Sequence, residues 1–153
     1  MNWERMAHAA SVLSTFVAAA ALVWSVLEFR TQTKINQDVL TAATQQQRES
    51  AAVELFNNYL TLAFQKPAFA FEEQDILKLP PDQGQRYTIF ATAALSIAER
   101  IYVLTSPDPL WTRTVESIIK NHHKFVTINF SCKEVDPGFG AYLAKTVEGF
   151  TCP

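Results

Sequence analysis

The sequence predicts an all-α chain: a single amino-terminal transmembrane helix that continues into a helical stalk and then into a small helical bundle. Three observations predict it. Residues Ala9 to Leu27, AASVLSTFVAAAALVWSVL, form a run of nineteen residues with no charge, no proline and no glycine. The next helix breaker is Pro67, so nothing obliges the helix to stop where it leaves the lipid. Beyond that point apolar residues recur at three and four, the helical spacing, and no alternating strand pattern appears. The expected divisions are an anchor over 1–29, a stalk over 30–50 and a helical domain over 51–153.

The anchor comes first. At about 1.5 Å of rise per residue the run is roughly 28 Å long, close to the hydrocarbon thickness of a bilayer. Trp3 and Trp24 sit near its ends with Phe29 just outside, as expected for rings anchored at headgroup depth. A cleaved signal peptide is the rival reading, since Arg5 gives a charged start and Ala18 to Ala21 resemble a cleavage region. Against it, Leu22, Val23, Trp24, Val26 and Leu27 prolong the apolar run where a polar cleavage zone belongs. Within the span Ala7, Ser11, Ser14, Ala18, Ala21 and Ser25 follow one another at four and three. Small residues on one seam let a second transmembrane helix approach closely, and close contact is what drives association in lipid.

The stalk, RTQTKINQDVLTAATQQQRES, is polar and glutamine-rich. Ile35, Val39, Ala42 and Gln46 recur at 4-3-4, the spacing of a weak coiled-coil seam or of a solvated helical linker. From Ala51 the pattern turns amphipathic, with Val53, Phe56, Leu60, Ala63 and Phe64 on one face.

Pro67 ends that helix. The segment to Gly84, PAFAFEEQDILKLPPDQG, reads as a loop with one short turn around Glu72 to Leu79. A strongly apolar helix is expected from about Gln85 to Thr105, turning Tyr87, Phe90, Ala94, Ile97, Ala98, Ile101 and Leu104 inward. Ser106-Pro107-Asp108-Pro109 breaks it, and Asp108 can cap the next helix with Pro109 at the first position. That helix is expected to reach about Ile128, with Trp111, Val115, Ile118, Ile119, His122 and Phe125 inside. Asp136-Pro137-Gly138 introduces a last helix over 139–150.

Composition excludes several functions. The net charge is −2 and the 13 Lys and Arg residues are scattered, so no basic stripe is available for a nucleic acid. None of the four glycines lies in a phosphate-cradling motif. His122 and His123 with Cys132 and Cys152 lack the clamp spacings of a zinc site; one histidine is expected to pack and the other to face solvent. No orienting group supports a Cys–His nucleophile, and His8 alone at the membrane boundary does not make a porphyrin site. No cofactor is expected. Glu99-Arg100, inside an apolar helix, must be paired, solvated or met by a partner. Eleven phenylalanines in so small a chain leave material for an exposed docking face, to which Trp111 is a candidate contributor.

Two observations bear on the side of the membrane. Arg30 and Lys34 follow the span while Arg5 precedes it, which favours a cytoplasmic domain on a single-pass protein of the cytoplasmic membrane. A disulfide between Cys132 and Cys152 would require the opposite side, because such bonds persist in oxidising compartments.

The span, ELFNNYLTLA (Glu54 to Ala63), AERIYVL (Ala98 to Leu104), PLWTRTVESIIKNHHKF (Pro109 to Phe125) and DPGFGAYL (Asp136 to Leu143) together resemble a set of uncharacterised bacterial proteins with one amino-terminal span and a small helical domain. The resemblance implies an architecture and transfers no catalytic residue. The expectation is a non-enzymatic accessory or scaffolding subunit of a larger membrane complex, whose partners are other transmembrane subunits and the lipid bilayer. The alternative is a membrane-tethered sensor or signalling module working through the 30–50 stalk.

Overall fold

A computed structural model of the chain describes residues 3–151, with side chains at Trp24, Ser25 and 28–151. Among the described residues there are six α-helices, two short 3-10 helices and no strand. The chain divides into two compact units, Met1–Gln45 and Gln46–Pro153.

Helix α1 spans Trp3–Gln65 and stops two residues before Pro67, as the missing amide and the ring of proline require. Every side chain from 28 to 50 is exposed. Three threonines there turn back on the helix: Thr33, Thr41 and Thr44 each donate to the carbonyl four residues earlier at 2.8 Å.

In the second unit the last turns of α1 bury Ala52, Tyr59 and Ala63, spaced at seven and four on one helix face. The following segment departs from the expected loop, because Pro67–Phe71 forms a short helix, α2. Pro67 pre-sets its first turn, and Ala70 is fully buried. Phe69 meets Tyr87 and Phe90 edge-on, at 5.5 and 5.9 Å between centroids. The expected turn is a 3-10 helix at Ile76–Lys78, where the Asp75 carboxylate accepts from the Leu77 amide.

Helix α3, Pro81–Thr105, is the centre of the fold. It begins four residues before the expected Gln85, because Pro81 occupies the first position and Gly84 continues the turn, its amide donating to the Pro80 carbonyl at 2.8 Å. Tyr87, Phe90, Ala91, Ala94, Leu95, Ala98 and Ile101 are buried along it, while the expected inward residues Ile97 and Leu104 are only half-buried. α3 packs against α2 and against the helices that follow. Among the described residues it is the one helix long and apolar enough to cross a membrane by length and composition, and its buried face lies in the domain core.

Helix α4 spans Pro109–Asn121 and α5 spans His123–Asn129. The single helix expected to Ile128 is thus interrupted at His122, where the backbone has φ −125° and ψ 19°. The Asp108 carboxylate caps α4, accepting from the amides of Leu110 and Trp111. A 3-10 helix at Cys132–Glu134 leads to α6, Pro137–Thr146. α6 ends four residues before the expected Phe150, in a turn through Gly149 at φ +81°; Phe150 is buried all the same.

Candidate functional site

Three arrangements in the 46–153 unit combine polar groups with shaped apolar surface. The largest is a cleft of about 660 Å³ between α1 and α3. Leu55, Val103 and Leu104 supply its apolar lining. Glu54 and Asn58, one helical turn apart on α1, and Glu99 and Arg100, on α3, supply its polar groups, with Asp136 beside them.

Two of the cleft's carboxylates are already engaged. Glu99 accepts a 2.5 Å hydrogen bond from the Asp136 amide. The Asp136 carboxylate caps α6, accepting from the amides of Gly138 at 2.9 Å and Phe139 at 3.1 Å. These bonds satisfy helix-terminal donors that have no intrahelical acceptor. Glu54 and Arg100 take part in none of the ion pairs among the described residues, where charges pair within 4.0 Å at Lys78–Asp75, Lys120–Glu116 and Lys124–Glu73. Glu99-Arg100 is therefore split in role: the carboxylate ties down the start of α6, and the guanidinium is exposed in the cleft.

A smaller groove of about 350 Å³ lies between α1, α2 and α4. Phe56, Leu60 and Phe71 make one wall, and Arg113, Thr114 and Ser117 are the polar residues opposite. Asn121 braces its floor by donating to the Ala70 carbonyl at 2.8 Å; burial holds the Tyr59 hydroxyl's pKa above its ordinary value, with the Asn121 side chain opposing the shift.

The third arrangement is buried. Tyr87 and His122 share a hydrogen bond of 3.1 Å between the hydroxyl and Nδ1. The imidazole packs against the Phe90 ring at 5.7 Å, and Nε2 has no hydrogen-bond partner. Burial pushes the His122 pKa down to about 4. Burial, aided by the charge of Glu73, pushes the Tyr87 hydroxyl up to about 12. Both groups are neutral near pH 7, and Nε2 has no acceptor in place for the second proton of an imidazolium. His123, by contrast, is part-exposed and lies 3.3 Å from Glu73.

The residues singled out in the sequence fall in different places. Trp24, Ser25 and Phe29 are exposed on α1. Trp3, Ala7, Ser11, Ser14, Ala18 and Ala21 lie on the same helix, but their side chains are outside the described ones, so the packing seam is described only at Ser25. Trp111 is half-buried with its ring edge-on to Phe56 at 6.3 Å, so it serves the interior as well as the surface. Cys132 is disulfide-bonded; the other cysteine of the sequence, Cys152, lies outside the described residues. Among the described residues no three His, Cys, Asp or Glu side chains gather as a metal site.

Comparison with known protein families, with curated sequences and with solved structures finds no match.

Glu54, Asn58 and Arg113 were not singled out from the sequence. Their signal was present in part: Glu54 and Asn58 sit four apart beside apolar Leu55, which places both on one helical face.

Proposed function

We propose that the chain is a non-enzymatic accessory or scaffolding subunit of a larger bacterial membrane complex, held by a transmembrane anchor over 1–29 and by an apolar face of its helical domain. The observation that carries this reading is the charge-free run from Ala9 to Leu27 on helix α1: burying it in lipid satisfies every backbone polar group within the helix itself. Supporting it, Trp24 and Phe29 are 71% and 72% exposed, as suits rings offered to a membrane interface. Attachment is then a matter of packing. Ser11, Ser14, Ala18, Ala21 and Ser25 meet a neighbouring transmembrane helix, and the aromatic surface around Phe71 and Trp111 meets a protein domain.

Two measurements test it. After alkaline carbonate extraction the chain should remain with the membranes; release into the soluble fraction rejects the anchor. Replacing Ala18 and Ala21 together by Leu should release the chain from its assembly in mild detergent, and undiminished co-purification rejects the seam.

One observation favours a second reading, a membrane-tethered sensor or signalling module. The seam residues Ile35 and Val39 are 55% and 61% exposed, so the 30–50 stalk offers a surface to a second copy of itself. Single cysteines introduced by Ile35→Cys and Val39→Cys should then cross-link into homodimers; monomer alone rejects this reading.

For the side of the membrane, Arg30 and Lys34 favour a cytoplasmic domain, whereas the bonded state of Cys132 favours an oxidising compartment. We weight the disulfide above a margin of one or two basic residues and assign the domain to the oxidising side. An impermeant thiol reagent applied to intact cells after reduction should label Cys132; labelling only after lysis reverses the assignment.

A further inference from the structure

The cleft between α1 and α3 holds two opposite charges, Glu54 and Arg100, that enter no ion pair among the described residues. Of its ionisable groups, Glu99 and Asp136 are engaged in fastening α6. That leaves Glu54 on α1 and Arg100 on α3, both exposed and in none of the ion pairs among the described residues. They share the cleft with a floor formed by Leu55, Val103 and Leu104. A volume of about 660 Å³ is that of small-molecule sites, which combine apolar walls with a few orienting polar groups. An anionic group suits the guanidinium, which accepts carboxylates in a bidentate fork. An ammonium suits Glu54, with the Asn58 amide one turn away to share it.

We infer that this cleft binds a small zwitterion with an apolar body, the chemistry of a free apolar amino acid or a short apolar peptide. Its carboxylate lies on Arg100, its ammonium on Glu54, and its side chains lie on Leu55, Val103 and Leu104. Charge complementarity at both ends excludes the simpler occupants. A fatty acid leaves Glu54 unanswered and opposed to it, and an alkylamine does the same to Arg100. The inference does not rest on the anchoring reading, since every residue it uses lies in the 46–153 unit.

The test uses the full chain in mild detergent and isothermal titration calorimetry, with leucine and leucyl-leucine as probes. Two analogues accompany them: one lacking the ammonium (4-methylpentanoyl-leucine) and one lacking the carboxylate (leucyl-isoamylamide). Saturable binding of leucine or leucyl-leucine is expected, and the tighter of the two tells a free amino acid from a peptide. Loss of either charge should weaken binding at least about tenfold, the scale of one charge-assisted contact. Arg100→Gln should weaken the zwitterion by the same factor yet leave the carboxylate-free analogue unchanged, and Glu54→Gln should do the converse. Both positions are exposed, and unchanged far-ultraviolet circular dichroism verifies that the variants fold. Absence of saturable binding by the folded wild-type chain overturns the inference, as does equal weakening of both analogues by either substitution.

Discussion

Tyr87 on α3 and His122 at the break between α4 and α5 close a hydrogen bond of 3.1 Å inside an aromatic cluster, and each is the other's only described polar partner in that cluster. Removing one partner leaves a buried polar group unsatisfied, at a cost of about 1–3 kcal/mol. Tyr87→Phe should therefore destabilise the domain by that amount. Urea unfolding of the full chain in detergent, followed by near-ultraviolet circular dichroism, measures it; an unchanged midpoint shows that the bond contributes nothing net.

Acid should weaken the domain through the same histidine. Its folded pKa of about 4 lies below its ordinary 6.5, so on acidification the unfolded chain takes up the proton first. His122 thus contributes stability that is full above about pH 6.5 and is lost as the pH falls to about 4, amounting to roughly 3 kcal/mol. His122→Phe should flatten the stability profile across that window relative to wild type. Parallel profiles for the two proteins dismiss the effect.

The cap on α4 is a separate and local device. Asp108 accepts from Leu110 at 2.8 Å and from Trp111 at 3.4 Å, so Asp108→Ala should cost about 1 kcal/mol, while Asp108→Asn, which keeps the acceptor, should cost less. Thermal melts of the two variants distinguish the lost acceptor from the lost charge. Equal melting temperatures for Ala and Asn remove the acceptor from the explanation.

At Gly149 the backbone sits at φ +81°, and nothing lies within 4 Å of where a Cβ would stand. A side chain there meets no neighbour, and its penalty is the left-handed backbone alone, about 1–2 kcal/mol. Gly149→Ala should lower stability by that amount, and Gly149→Asn by less, since asparagine tolerates this conformation. Identical melts for Gly, Ala and Asn mean that the turn re-forms with another backbone geometry.

The sequence made legible what is local. Pro67 ending α1, Asp108 capping α4, and the Asp136-Pro137-Gly138 start of the last helix each follow from a single residue's covalent chemistry. The division between buried His122 and part-exposed His123 followed from helical periodicity alone. What escaped depends on tertiary contact. The α2 helix at Pro67–Phe71 exists because Phe69 and Ala70 find α3, and a window of five residues cannot register that. Ala91 and Leu95 are buried because α3 is covered on more than one face, whereas periodicity reports only the strongest one. The break at His122 joins two segments that are both helical, so no breaker announces it. The cleft was the least accessible: Glu99 meets Asp136 across 37 positions of sequence, and Glu54 and Arg100 come to line one cleft only in the folded domain.

The bare stretch of α1 has a consequence for motion. Residues 28–50 are helical with every side chain exposed; from Ala52 to Ala63 the same helix contributes to the core. Amide protons in the solvated stretch can exchange through the opening of one or two turns, whereas those beside Ala52, Tyr59 and Ala63 must wait for rarer, larger openings. Deuterium uptake along this single uninterrupted helix should consequently fall in a step near residue 51, fast before it and slow after it.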